Sequence, residues 1–352
     1  MAALLLAIAV SIPGIRRRAR GRVADRILDA PRRTPEEASL TPQIDRLGGE
    51  VVRFVSRDGG RLAARWLAAD AGADPDWVPD PHEAILLLHG YTGSIAPDLV
   101  EYAPFLRRTA RVLGLDFRGH GQSDAGPTTF GVNEVDDVAG ALAWLGERGV
   151  TRIALVGTSM GGIVALASLA VLGDGRLTSV DSDPHAAEGV DLAPRPRIVA
   201  IVADSIPPRL ASGVGRRLGK VLGPYVVERG FETIAERLGA DPRQTEPRRV
   251  LPLVEDVPLL VIHGGRDPLV SAKDVKRIQG VLPDGARHLV IEGGDHSGAH
   301  TADPVRYETE VTSLLRTTFG ATREGPMAEP ILSAESLGDA GVTPPLANGQ
   351  RS

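Results

Sequence analysis

The chain contains no cysteine, which excludes disulfides, thiolate metal sites and a cysteine nucleophile, while leaving the compartment open because exported proteins also lack cysteine. Charge of either sign is nearly balanced: 40 Lys and Arg against 45 Asp and Glu give a net charge of −5. Such a chain carries no basic field for nucleic acid, so the expected partner is a small molecule. No H-E-x-x-H or similar ligand spacing occurs, nor any nucleotide-binding motif or internal repeat, so neither a metal nor a cofactor is expected. An apolar run of the ~20 residues needed to span a bilayer is missing as well.

The apolar run that does occur, Ala2 to Ile15, is followed by Arg16, Arg17, Arg18, Arg20 and Arg22. A secretory signal carries its positive charge ahead of the apolar segment, the reverse of this order. Three readings stay open: a short anchor or interfacial segment held at the cytoplasmic leaflet by the basic cluster, an anchor shortened by a misassigned start, or a helix packed on the body. The expected location is cytoplasmic, with membrane contact through residues 1–22. Pro31, Pro35 and Pro42 then mark residues 30–45 as a linker.

With 352 residues, 42% of them apolar, the chain can build a full core in one large domain or two small ones. Val51–Val55 and Leu62–Leu67 flank the turn Arg57-Asp58-Gly59-Gly60 and read as an antiparallel hairpin. Six short apolar runs follow, at residues 84–88, 111–115, 153–156, 198–202, 259–262 and 288–291. Helical patterns lie between most of them, such as Val135, Val138, Leu142 and Leu145. Strands buried on both faces and separated by helices imply a parallel sheet with right-handed crossovers, to which the hairpin adds an antiparallel edge. Residues 173–197 read as a surface excursion. Residues 205–255, with helical stretches at 214–222 and 227–238, read as a cap over the strand ends, and the Gly/Pro/Ala/Ser-rich tail from Ala321 reads as disordered.

Gly157-Thr158-Ser159-Met160-Gly161 joins a buried-strand pattern to a helix pattern. A serine at that turn is strained and pushed out over the sheet edge, its neighbours two residues away must be tiny, and the Met160 amide lies at a helix N-terminus that favours a developing oxyanion. Ligands of an open parallel sheet bind beyond the carboxyl ends of the strands. The other runs end there in His89-Gly90-Tyr91-Thr92-Gly93, Asp116 through Ser123, His263-Gly-Gly-Arg-Asp267, and Glu292-Gly-Gly-Asp-His296. An acyl-transfer site needs a base for the serine proton and a carboxylate to orient the base. His296 and Asp267 have the right chain positions, with His300 and Asp204 as competitors. Asp116, Arg118 and His120 read as a structural turn, His89 as a packing residue, His263 as bonded within its own loop, and Glu228, Glu232 and Glu236 as a solvated helix face.

Taken jointly, the His89-Gly90 turn, the 157–161 elbow and the loops ending in Asp267 and His296 make the chain resemble the α/β-hydrolase superfamily over about residues 48–320. The Asp116–Ser123 segment and the cap position look like its serine-aminopeptidase-like and monoacylglycerol-lipase-like branch. The resemblance implies a mostly parallel eight-stranded sheet with helices on both faces and a small helical cap. It further implies Ser159 as nucleophile, His296 as general base and then acid, Asp267 as its orienter, and the backbone N–H groups of Tyr91 and Met160 as the oxyanion hole. Relatives of this fold that dehalogenate alkanes or open epoxides carry aspartate at the elbow, unlike this chain. The expected reaction is hydrolysis of a carboxylic ester of a small to medium, fairly apolar acyl substrate. A peptidase or amidase activity and a non-catalytic binding protein are the alternatives.

Overall fold

A computed structural model describes residues 13–29, 40–91, 93–173, 195–217, 224–254 and 256–320. Its helices, numbered along the chain, are α1 (Pro13–Leu28), α2 (Thr41–Leu47), α3 (Ala96–Leu106), α4 (Glu134–Gly146), α5 (Met160–Leu172), α6 (Leu210–Arg217), α7 (Pro224–Leu238), α8 (Pro247–Val250), α9 (Ala272–Gln279), α10 (Ala299–Ala302) and α11 (Pro304–Gly320). The strands are β1 (Glu50–Val55), β2 (Arg61–Leu67), β3 (Glu83–Leu88), β4 (Arg111–Asp116), β5 (Arg152–Thr158), β6 (Arg197–Asp204), β7 (Leu259–Gly264) and β8 (Arg287–Ile291).

These strands form one eight-stranded sheet among the described residues, in the order β1-β2-β4-β3-β5-β6-β7-β8. The hairpin pairs Val51 with Arg65 and Phe54 with Leu62, β2 runs antiparallel to β4, and the remaining pairings are parallel. Strand β3 shows why the apolar runs are continuous. Ala84, Leu86 and Leu88 join the core on one face of the sheet, and Ile85 and Leu87 join the core on the other. Because side chains alternate along a strand, a strand covered on both faces is apolar through its middle, and a buried polar residue such as Glu83 stands at its end with an Arg152 partner. From β3 the chain moves one way to β4, returns across β3 to β5, and then continues outward. The direction of winding thus reverses at β3 and β5, and a crevice opens beyond their carboxyl ends.

Three expectations need correction or lie outside the described residues. The linker reading of residues 30–45 fails at its end, because α2 begins at Thr41. Pro42 lies in its first turn, where the amide that proline lacks has no helical partner anyway. Residues 30–39, the greater part of the 173–197 excursion and the tail from 321 are outside the description. Within the insertion between β6 and β7, the first helix, Leu210–Arg217, begins four residues before the expected 214, residues 218–222 of that expectation lie outside the described residues, and the second helix is Pro224–Leu238.

For the N-terminal segment, the residues from 13 onward form a helix packed on the body. Val23 and Ile27 are buried and sit against Gly230 of α7, and Arg237 of α7 pairs with Asp25 at 2.6 Å. Residues 1–12, which carry most of the expected membrane contact of residues 1–22, lie outside the described residues. Among the described residues no helix is long and apolar enough to cross a membrane.

Candidate active site

Strand β5 ends at Thr158 and α5 begins at Met160, so Ser159 alone makes the turn between them. It does so at φ 50° and ψ −110°, a backbone region costing an L-residue on the order of 1–3 kcal/mol. The flanking glycines make this turn sterically possible. A Cβ on Gly157 would strike the backbone of Gly161, and a Cβ on Gly161 would strike the carbonyls of Leu88 and His89. Strand β5, helix α5 and the end of β3 are therefore in backbone contact at the elbow.

His296 follows β8, and its Nδ1 lies 2.8 Å from Asp267 Oδ2 while its Nε2 lies 2.9 Å from Ser159 Oγ. A carboxylate only accepts, so the imidazole carries its proton on Nδ1 and turns the Nε2 lone pair toward the serine hydroxyl. The Asp267 side chain is fully buried and its other oxygen accepts the amides of Leu269 at 2.6 Å and Val270 at 2.9 Å. The two carboxylate oxygens thus accept three hydrogen bonds, one of them from the ring, which cannot turn without breaking the relay.

The competing residues sit elsewhere. Asp204 accepts from Ser205 Oγ at 2.9 Å and from the Tyr307 phenol at 3.2 Å, and burial pushes its carboxyl up to about 6. His300 lies between Glu101 at 3.1 Å and Glu308 at 3.2 Å, and although burial opposes it, these two acids hold the imidazole above its ordinary value. Asp116 is structural, accepting the amides of Ile95 and Gln122, and Arg118 is held by Asp58 and Asp137. His89 accepts the Phe117 amide on Nε2 and donates from Nδ1 to the Gly90 carbonyl, and burial drives its pKa well below the usual value. It is a neutral spacer between two loops. His263 departs from expectation. Instead of bonding within its own loop it reaches the Ile206 carbonyl at 2.9 Å and His288 on β8 at 3.1 Å, and burial lowers it to about 4. The parallel pairing of β7 with β8 brings the two rings side by side. Glu228 pairs with Arg209 and Arg243, and Glu232 with Arg229, on the outer part of α7.

Two further features had no distinct signal in the sequence. Ser205, at φ 57°, uses its Oγ both to donate to Asp204 and to accept the amide of Ser297, so a buried chain from Tyr307 steadies the residue next to His296. The loop after β3 is tied to α1: the Tyr91 phenol donates to the carbonyls of Arg26 at 3.0 Å and Ile27 at 2.8 Å, while its ring stacks on Phe130 at 5.2 Å. Gly90 is close enough to the elbow that a Cβ there would lie 3.6 Å from the Ser159 Cβ.

Cavities open on both sides of Ser159. One, of about 30 Å³, lies under α6 and is lined by apolar side chains including Phe130, Met160, Ile163, Leu210 and Val214. The other, of about 240 Å³, lies toward α3 and is lined by polar groups including Ser94, Asp98, Glu101 and Ser297. Among the described residues no cluster of three or more His, Asp or Glu could hold a metal ion.

Comparison with known proteins agrees with this architecture. An uncharacterized protein, YfhR, from Salmonella typhimurium is 23% identical over 278 residues, covering 77% of this chain and 83% of its own. YqkD of Bacillus subtilis, also uncharacterized, is 27% identical over 240 residues, or 67% of this chain and 72% of its own. Among solved structures, the Pyrococcus furiosus esterase Pf2001 superposes with a TM-score of 0.57 at 22% identity, covering 84% of this chain and 98% of the esterase. A puromycin hydrolase superposes with a TM-score of 0.53 at 21% identity, covering 77% of this chain and 39% of its own. The family profile described as "Alpha/beta hydrolase family" matches residues 85–310, and the chain therefore belongs to the alpha/beta hydrolase family.

Proposed function

We propose that the protein is a serine hydrolase that cleaves carboxylic esters through an acyl-enzyme, with Ser159 as nucleophile, His296 as base and then acid, and Asp267 as the carboxylate that orients the base. The observation that carries this reading is the relay of 2.8 Å and 2.9 Å hydrogen bonds from Asp267 through His296 to a serine held at φ 50°. As Ser159 Oγ attacks the ester carbonyl, its proton passes to His296 Nε2, and the buried Asp267 stabilises the resulting imidazolium. The oxyanion is received by the backbone N–H groups of Met160, at the start of α5, and Tyr91, on the loop beside Ser159. Loss of one such donor costs about 3 kcal/mol of transition-state stabilisation. His296 then protonates the departing alkoxide, and water, deprotonated by the same imidazole, releases the acid. The insertion between β6 and β7 acts as a cap, since Pro207, Leu210 and Val214 lie over the nucleophile.

The test is turnover of p-nitrophenyl acyl esters by wild type and by Ser159→Ala, with labelling by a fluorophosphonate probe. Turnover and labelling are expected in the wild type and lost in the variant. A wild type that neither hydrolyses the esters nor reacts with the probe would favour the non-catalytic binding protein. Aminoacyl amides run beside the esters separate a peptidase from an esterase.

A further inference from the structure

The two sides of Ser159 differ in polarity as well as size, and the roomier one is acidic. Helix α3 starts at Ala96 with Asp98 in its first turn and Glu101 one turn later, so both carboxylates face the same way at i, i+3. Both line the cavity of about 240 Å³ that reaches Ser159 and His296. Asp98 Oδ1 accepts the hydroxyl of Thr158, the residue before the nucleophile, at 2.7 Å. No other residue's side chain donates to its Oδ2 among the described residues, its own backbone amide is the one further donor to the carboxyl, and the half-buried side chain lines this cavity. Protein atoms surround the group so closely that burial pushes its carboxyl up to about 7.

No basic side chain stands among the charges that act on Asp98. Those charges are Glu101 and Asp204, both acidic. Glu101 is itself fixed, accepting from Thr301 Oγ1 at 2.7 Å and from His300 at 3.1 Å. Arg217 is the one basic side chain that lines this cavity among the described residues, with its guanidinium 5.6 Å from the Tyr91 ring centre. A carboxylate oxygen that opens into a cavity, beside a second carboxylate and next to a nucleophile, is a costly arrangement unless a cationic donor completes it.

We propose that this cavity binds a protonated amine carried by the ester substrate, with Asp98 Oδ2 as its principal acceptor and Glu101 as the second carboxylate. The inference rests on the ester-hydrolase reading above and adds the substrate class: an ester with an ammonium group a few bonds from the scissile carbonyl. Both geometries are open to the same chemistry, the amine on the alcohol half or on the acyl half.

The test compares kcat/KM for esters matched in size. For the alcohol half, 2-aminoethyl butyrate is set against propyl butyrate; for the acyl half, β-alanine ethyl ester is set against ethyl butyrate. Wild type near pH 8 should prefer the amine in one of these pairs by about tenfold or more, through KM rather than kcat, as expected for a charge-assisted hydrogen bond. In Asp98→Asn, which keeps the size of the side chain and the acceptor for Thr158, the preference should fall to within about threefold of unity. The titratable groups that act on Asp98 or feel its charge are Glu101, Asp204 and Tyr102; Ser159, His296 and Arg217 line the same cavity, and His300 is bonded to Glu101. Both members of a pair need His296 in the same state, so their ratio isolates the amine. That ratio should shrink as pH falls through about 7 in wild type and stay flat in the variant. Should Asp98→Asn fail to fold, Glu101→Gln should still reduce the ratio. Equal ratios in wild type and variant, or a wild-type preference for the neutral esters, overturn the proposal. If wild type turns over no ester at all, the hydrolase reading falls, and calorimetric titration with butylammonium then decides the amine site. Binding that weakens at least about fivefold in Asp98→Asn upholds the site, and equal or no binding removes it.

Discussion

The phenol of Tyr91 donates to the carbonyl of Ile27 at 2.8 Å, so the loop beside Ser159 is tied to the last turn of the N-terminal helix. Helix ends leave their final carbonyls without partners inside the helix. In α1 these go to the body: Arg26 and Ile27 to Tyr91, and Leu28 to the Thr128 amide. Tyr91→Phe should leave the backbone N–H in place but remove this donor, costing about 1–2 kcal/mol of stability. Urea unfolding should show the loss, while ester turnover falls by less than about tenfold because the oxyanion donor remains. A fall as deep as that of Ser159→Ala would mean that the phenol itself takes part in the reaction.

The carboxylate assignment has a direct test. Asp267→Asn should lower kcat by about 10³- to 10⁴-fold, since an amide in that place favours the wrong tautomer of the base. Asp204→Asn should have a much smaller effect on turnover. The reverse outcome would transfer the orienting role to Asp204.

Asp204 makes a pH prediction of its own. Its carboxyl, raised by burial from 3.8 to about 6, holds a proton more tightly in the folded state than in the unfolded chain. Its contribution to stability is therefore fully present below about pH 4 and is lost as pH rises through about 6. Asp204→Asn removes this dependence. The melting temperature of the variant minus that of wild type should rise between about pH 4 and 6 and then level off, reflecting on the order of 3 kcal/mol. A difference that is flat over this range would contradict it.

Gly161→Ala should be among the most damaging single changes. Its Cβ would meet the backbone carbonyls of Leu88 and His89, which a rotamer change cannot relieve, so α5 must shift away from β3. Destabilisation of about 2 kcal/mol or more and loss of most ester turnover are expected, measured by urea unfolding and steady-state kinetics.

The apolar cavity under α6, at about 30 Å³, has room for only two or three water-sized centres. Long acyl chains must displace α6 to enter it. Val214 of α6 lines this space, and Val214→Ala should raise kcat/KM for p-nitrophenyl hexanoate relative to the acetate by several-fold, about the worth of two buried methyl groups. An unchanged ratio would place the acyl chain on the other side of Ser159.

Much of this architecture is legible locally. The six apolar runs became β3 to β8 because a strand covered on both faces is apolar through its middle, as β3 to β7 are, while β8 at the sheet edge is only partly buried. The elbow was readable because one strained serine needs glycine two places to each side. The helices of the insertion were placed less well: α6 begins at Leu210, whose amide donates to the buried Glu246 carboxylate 36 residues on, a partner that local periodicity does not show. The linker reading failed at α2 for a related reason, since proline ends a helix in its interior yet suits its first turn.

Sequence by itself determined the strands and the elbow, because each follows from spacings of two to four residues along one element, and it showed Ser159, Asp267 and His296, in that order, each in the segment that follows an apolar run. Only the tertiary structure decided which carboxylate meets the imidazole, that His263 contacts His288, that α1 straps the Tyr91 loop, and that Asp98 and Ser159 line one cavity. Ser159 and His296 are 137 residues apart, and their meeting depends on strand order and on loops leaving the same sheet edge. Those relations are set by how the two cores pack, and no local periodicity encodes them.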